Sequence, residues 1–431
     1  MAARIATLGV TAAALLLAVP PPVAAQPSSP EELAAAVARP AVVLIQVSWR
    51  GWVRDRRTGE VFGGNPGYHV TVTCTGTVIS PDGYVATASH CVHTGAMGGS
   101  AVLFDAAATD LARVGRVTDP ARARALLAEH AVAEGAKADS AVDRQIQVRF
   151  GDDIAPATVA NVVAPDQGDV AVLKVPRDRL PAVAIRPDPA PVGTPILAIG
   201  YPGSVEEAGD RPEPSTKNGQ ISAQRTHDEH PFYEFSAAAT HGMSGGPVVD
   251  MQGRVVGLIS RGTPGETQSF NLATAAATLL DVVRDKEINA EQGAHDRNYR
   301  SGLDRYYAGD YDGSVEFLDA VLAAAPEHEQ AAAYRKLAVE RGGSVGSGNP
   351  LLLVFLFLSA GIGLLAGGLG LAVLRLHRRA LLSTMDTPPF GFPLPAQVSE
   401  GPTEVTSDAP TVRNSGPDPA PPVPPRPDPS P

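Results

Sequence analysis

A mainly β fold with a small helical segment behind it is what this sequence predicts, on three observations. Short runs rich in Val, Ile and Thr recur between Ala41 and Gly262, each bounded by turn residues. One apolar run, Pro247-Val248-Val249, follows a serine set among glycines, Thr240-His241-Gly242-Met243-Ser244-Gly245-Gly246. From residue 295 to 341 the pattern becomes helical.

The serine stretch carries the first chemical signal. A nucleophilic serine needs bare backbone beside it, so that a substrate approaches closely and amide N–H groups meet a developing oxyanion. Ser244 is the candidate nucleophile, and the amides of Gly242 and Ser244 are the candidate oxyanion donors. Taken alone, the stretch reads equally well as a glycine-rich turn between strands. A histidine and an aspartate upstream are needed to separate the two readings.

Taken in order, the chain opens on Met1-Ala2-Ala3-Arg4, runs largely apolar from Ile5 to Val19 and reaches Val23-Ala24-Ala25. One positive charge, a short apolar core and small residues at its end describe a secretory signal peptide over 1–25. Pro-, Ser- and Ala-rich text follows, with a helix start at Ser29-Pro30-Glu31-Glu32. Ala41 to Trp49 and Tyr68 to Thr75 then read as strands. From Thr75 the text reads as a strand, the turn Pro81-Asp82-Gly83 and a second strand, with His90 where that second strand ends. Residues 105–143, rich in Ala, Arg and Asp, predict one or two solvated surface helices inserted into the β pattern.

Strand text resumes at Gln145 to Phe150 and, after the turn Pro165-Asp166-Gln167-Gly168, at Asp169-Val170-Ala171-Val172-Leu173-Lys174-Val175. Asp152, Asp153 and Asp166 do not directly open such a strand, whereas Asp169 does. Further strand-like text runs from Ile196 to Gly203, from Asn218 to Ser222 and from Arg254 to Gly262.

The only cysteines are Cys74 and Cys91. An even count in an exported segment favours a disulfide between them. Zinc held by Cys74, His90, Cys91 and His93 is the alternative, at an unfamiliar ligand spacing. No metal or other cofactor is expected. A net charge of −11 and a pI near 5.4 leave no basic stripe for phosphates, which argues against nucleic acid.

Thr87-Ala88-Ser89-His90-Cys91, the strand opened by Asp169 and the glycine-flanked Ser244 together resemble the trypsin-like serine protease superfamily. The turn Ser80-Pro81-Asp82-Gly83-Tyr84-Val85 and the form of the Asp169 strand are closest to its bacterial HtrA/Deg-type branch. The cysteine pair is instead similar to the secreted chymotrypsin-like branch, where a bridge pins the histidine loop. The resemblance covers about residues 38–288 and implies two antiparallel β-barrels with the site between them. It implies the roles His90, Asp169 and Ser244, in the chain order of chymotrypsin. It also implies a substrate pocket with Ala238 at its floor and Ser260, Arg261 and Gly262 along its wall, and protein or peptide substrates. Met243 departs from the trypsin branch, which has an aspartate just before the serine, and no PDZ-like domain follows as in the HtrA branch. A protease fold that binds peptides without cutting them, and an adaptor working through its helical segment, are the competing readings.

Gly302, Gly309-Asp310-Tyr311-Asp312 and Pro326 fall at tetratricopeptide spacings, so residues 295–341 make about one and a half such units. That segment is expected to pack on the protease domain, to receive a protein partner or to act as a spacer. Leu351 to Leu374 carries no charge and gives ~36 Å of helix, enough for a single-pass membrane span. Arg375, Arg378 and Arg379 follow it, placing the C-terminal side in the cytoplasm by the positive-inside rule. The tail 385–431 is Pro-rich, ending through Pro421-Pro422-Val423-Pro424-Pro425-Arg426, and reads as disordered or polyproline II.

Overall fold

In the computed structural model the described residues are 30–203, 212–227, 229–262 and 271–344. The expected signal peptide (1–25), membrane span (351–374) and Pro-rich tail (385–431) lie outside them. Among the described residues no helix is long and apolar enough to cross a membrane.

Alternating apolar residues draw the first half into a closed barrel. Strand β1 (Val42–Asp55) pairs through its first half with β3 (Tyr68–Ser80) on one side and β6 (Asp143–Phe150) on the other. Between them the sheet continues through β4 (Tyr84–Thr87), β8 (Val170–Lys174) and β7 (Asp153–Val163), all antiparallel, and the β1–β6 pairing closes the circle. Ile45, Val78, Ile79, Val85, Val172 and Leu173 are fully enclosed within it. The far half of β1 diverges to pair with β2 (Val61–Phe62) and β5 (Ala131–Glu134). The sequence pattern ended β1 near Trp49. The strand runs on because its last residues pair both with nearby β2 and with β5, more than seventy positions away, and the second pairing has no local signature.

A second closed barrel follows, ordered β10 (Ser215–His227), β11 (His230–Phe235), β14 (Asn271–Ala275), β13 (Val255–Gly262), β12 (Pro247–Asp250), β9 (Pro195–Gly200). Ile196, Ala198, Ile221, Phe235, Val248 and Ala273 fill its core. Met243, which holds the position that carries an aspartate in the trypsin branch, is 1% exposed in that same core. A carboxylate there would be buried among apolar side chains, so the position serves packing.

The insertion corrects the solvated-helix expectation. Its helices are α2 (Gly99–Arg113) and α3 (Pro120–His130), and α2 starts six residues before the stretch that composition singled out. Leu103, Phe104, Ala107, Ala108 and Leu111 form a stripe at helical spacing and join the first-barrel core. The surface-like composition belongs to the other face.

At the N-terminus, α1 (Pro30–Ala38) is wedged between the barrels and three C-terminal helices. Ala34 and Ala38 turn to the barrel core, while Ala36 packs with Tyr299, Leu303 and Leu318. Those helices are α5 (Ala294–Tyr307), α6 (Tyr311–Ala324) and α7 (Glu329–Glu340), after α4 (Ala276–Asp285) closes the barrel region. Gly302 lets α5 and α6 approach, since a Cβ there would meet Leu318 Cγ at 2.8 Å. Asp310 caps α6 by accepting from Gly313 N (3.0 Å). The helices grip the barrels and α1 through polar contacts. Ala182 N donates to Asp296 Oδ1 (2.9 Å), Tyr299 Oη to Ala36 O (3.1 Å), and Arg300 Nη1 to Gln252 O (2.6 Å). Of the three outcomes expected for this segment, packing on the barrel region is the observed one.

His328 caps α7, its buried Nδ1 accepting from Ala331 N (3.1 Å), with its ring centroid 4.5 Å from that of Tyr299. Burial, helped by the charge of nearby His295, pushes His328 down from 6.5 to about 4. The folded form therefore resists a proton that the unfolded chain accepts, and stability present above pH 6.5 is lost as pH falls toward 4. Asp296, raised by burial, works in the opposite sense, gaining stability as pH falls. Urea unfolding of wild type and His328→Asn, which keeps a cap without titrating, isolates the histidine. Between pH 7.5 and 4.5 wild type is expected to lose about 2 kcal/mol more than the variant.

Candidate active site

The site lies at the seam of the barrels and starts from a buried charge. Asp169, 2% exposed, sits in a left-handed conformation (φ +53°) directly before β8, a geometry that aspartate tolerates better than most residues. The preceding Gly168 carbonyl accepts from Thr274 Oγ1 of β14 (2.7 Å), so the second barrel holds the aspartate turn of the first.

Four donors converge on the Asp169 carboxylate. Oδ1 accepts from Ser89 Oγ (3.1 Å) and from the backbone N–H of His90 (2.9 Å). Oδ2 accepts from His90 Nδ1 (2.9 Å) and from the hydroxyl of Ser260. Burial acts to raise this carboxyl, yet attraction to His90 whenever that ring is charged and the hydrogen bonds from His90 and Ser260 outweigh it, and it stays below the ordinary range. An ionised carboxylate only accepts, so His90 carries its proton on Nδ1 and leaves Nε2 free to accept one. The short helical turn Ser89–Cys91, directly after β4, aims the ring.

Cys91 is bonded to Cys74 of β3, with Cα atoms 6.3 Å apart and a sequence separation of 17. The bridge removes the zinc alternative, because both sulfurs are consumed. Among the described residues no cluster of His, Cys, Asp and Glu suits a metal ion.

Ser244 lies across the seam from His90, in the loop between β11 and β12. Its hydroxyl donates to the Ser260 carbonyl (3.1 Å), and among the described residues no hydrogen bond joins it to His90. Such bonds are often unmade in a free enzyme, and a turn about χ1 redirects the hydroxyl.

The backbone on either side of Met243 is anchored peptide by peptide. The His241 carbonyl accepts from Gly203 N (2.7 Å) and the Met243 carbonyl from Gly246 N (3.0 Å). In a trans peptide the N–H points opposite the carbonyl. The N–H groups of Gly242 and Ser244 therefore face away from these anchors, and among the described residues neither has a partner. Gly245, at φ +83°, packs so closely on β3 and β4 that a Cβ would lie 2.1 Å from Thr87 Oγ1.

Of the remaining candidates, Ala238 stands exposed on the β11–β12 loop, and its neighbour Ala237 is buried, with Asn271 Nδ2 bonded to the Ala237 carbonyl (2.9 Å). Ser260, expected along the pocket wall, contributes backbone only there, since its side chain is turned under Asp169. Gly262 pairs with Asn271 at the end of β13, and the Arg261 side chain lies outside the described residues. Sequence reasoning missed the second role of Ser260 and the buried threonines 75, 77 and 87. The one signal for Thr75 and Thr77 is the alternation of Thr in β3, and that pattern does not say which face meets the serine loop.

Residues 74–258 match the family model of the trypsin-like peptidase domain. This chain carries a trypsin-like peptidase domain. It is 31% identical over 119 residues to a serine protease of Mycobacterium tuberculosis strain H37Rv, an alignment covering 23% of this chain and 26% of that protein. The chain thus spans about a quarter of the length of that curated relative. Among solved structures, the serine endoprotease of Yersinia pestis is similar at 19% identity and a TM-score of 0.38, covering 62% of this chain and 69% of that one. The solved structure of an HtrA-type protease with a decapeptide is similar at 20% identity and a TM-score of 0.38, covering 61% and 68%.

Because Cys74 and Cys91 straddle the His90 turn, the bridge is expected to support both stability and ring placement. Replacing both cysteines by serine should lower the unfolding free energy by roughly 3 kcal/mol in the chain-entropy account. Urea denaturation measures this, and non-reducing mass spectrometry of the native chain should find no free thiol.

Proposed function

We propose that this protein is a membrane-anchored, extracytoplasmic serine endopeptidase acting through His90, Asp169 and Ser244. The observation that carries the reading is the pairing of His90 Nδ1 with the four-fold satisfied Asp169 carboxylate, facing a serine loop with two unpartnered amides. In this reading Ser244 Oγ attacks a peptide carbonyl while His90 Nε2 takes its proton. Asp169 holds the ring and stabilises the imidazolium. The Gly242 and Ser244 amides receive the oxyanion. The amide C–N bond breaks as His90 protonates the leaving amine, and water then releases the acyl group by the same steps in reverse order.

A second reading, peptide binding without cleavage, is favoured by the Ser244 hydroxyl bonding to the Ser260 carbonyl. We read the helices α5 to α7 as one and a half tetratricopeptide-like units whose apolar face is taken by α1 through Leu33, Ala36 and Val37. On that reading the segment braces the protease domain, and an adaptor role for it has less support.

The pocket reading sets Ala238 at the floor, with no acidic side chain among Ser236, Ala237, Ala238 and Ala239. A lysine or arginine entering it would be buried unpaired at a cost of several kcal/mol, so small or medium apolar residues such as Ala, Val or Leu are preferred. Serine-directed fluorophosphonate labelling and peptide-library cleavage by the full chain test both points. Ser244→Ala is expected to abolish labelling and lower turnover by on the order of 10⁴-fold or more. Predominant cutting after Lys or Arg would overturn the pocket, and absent Ser244-dependent labelling would favour the binding reading.

The anchoring reading rests on the uncharged run Leu351 to Leu374 followed by Arg375, Arg378 and Arg379, and on the signal-like N-terminus. Shaving intact cells with protease should remove an epitope inserted near Gln292 and spare one near Asp418. The opposite protection would reverse the topology.

A further inference from the structure

We propose that Thr75 is a positioning residue for the oxyanion site, acting by its hydroxyl on the peptide between Gly242 and Met243. The proposal rests on the peptidase reading for its kinetic consequence, though its structural basis stands apart from it. Thr75 lies on β3 of the first barrel, fully buried, next to the bridged Cys74.

Every hydrogen-bonding group of this residue is used, and three of its four contacts reach the second barrel or the strand end leading into it. Its N–H donates to the Ser244 carbonyl (2.8 Å). Its hydroxyl donates to the Gly242 carbonyl (2.8 Å) and accepts from the Tyr201 N–H (2.9 Å) at the end of β9. Its own carbonyl accepts from Thr87 Oγ1 (2.8 Å) on β4.

The consequence follows from three successive peptides. The one before Gly242 is held by Gly203 N, and the one before Ser244 by Gly246 N. Between them, the Gly242–Met243 peptide is held on its N–H edge by the Thr240 carbonyl (3.1 Å) and, among the described residues, on its C=O edge by Thr75 alone. A glycine flanks this peptide, at φ +92°, so little besides these two anchors opposes its rotation. Because it sits directly between the two oxyanion donors, turning it re-aims both N–H groups. Removing the hydroxyl also leaves the Gly242 carbonyl and the Tyr201 N–H unsatisfied in a buried place, which favours such a turn.

The side chain is fitted to this task. A Cβ on Gly200 would lie 3.0 Å from Thr75 Oγ1, and one on Gly246 would lie 3.1 Å from its Cγ2. The methyl packs against the loop and the hydroxyl ties it, so the two effects are separable by substitution.

Full-length wild type, Thr75→Val, Thr75→Ala and Thr75→Ser make the test, with amide hydrogen exchange of the 240–247 segment and steady-state peptide hydrolysis as readouts. Thr75→Val, and Thr75→Ala should the valine chain fail to fold, are expected to speed exchange in that segment. The same variants should lower kcat by roughly 10–100-fold while KM moves less than about threefold, as for loss of oxyanion donors. Thr75→Ser, which also lacks the methyl but keeps the hydroxyl, is expected to restore both readouts to near wild type. Unchanged exchange at 240–247 in the valine or alanine chain, or a serine chain as impaired as the alanine chain, would overturn the proposal. Should wild type itself hydrolyse nothing, faster exchange in the alanine chain would still uphold the positioning while the peptidase reading fell.

Discussion

The structure is built around one buried negative charge. An ionised carboxylate withdrawn from water is costly unless donors surround it, and Asp169 is met by four. Three come from the Ser89–His90 turn of the first barrel and the fourth from Ser260 of the second. The aspartate turn is in its turn held by Thr274 of the second barrel. The charge is therefore satisfied only when the two barrels are docked, which links the formation of the site to the completion of the fold.

The same seam fixes the serine loop from the other direction. Thr75, Thr77 and the backbone of β3 reach across to the carbonyls of Gly242, Gly245 and Ser244. Gly245 N and Ile259 N bond within the second barrel, so the loop is clamped between its own sheet and its neighbour's. Close approach of this kind leaves no room for side chains, which accounts for glycine on both sides of the serine. Around the seam, the appended parts add rigidity: α2 enlarges the first-barrel core, and α1 locks the C-terminal helices to both barrels.

Read in the linear chain, the motifs located His90, Asp169 and Ser244 because each sits in a short context with its own chemistry: a strand end, a turn before an apolar run, and a glycine-flanked loop. Strand alternation gave the β class, and the cysteine count gave the bridge. The continuation of β1 to Asp55, the burial of α2 and the second role of Ser260 were not visible. Each depends on a partner distant in sequence, and Ser260 looked like any polar residue in a strand.

By itself, the sequence determined which residues are candidates for chemistry, and it did so through local grammar: periodicity, turn residues and bare backbone next to a hydroxyl. Only the tertiary structure decided their relations. It turned the Ser260 side chain under Asp169, withdrew Met243 into the core, aimed the unpartnered amides of Gly242 and Ser244 away from their anchored carbonyls, and placed Thr75 against both. The physical reason is that hydrogen-bond direction and burial belong to pairs of segments. A residue's own neighbours in the chain carry no information about what lies 167 positions away, the separation that Thr75 and Gly242 bridge.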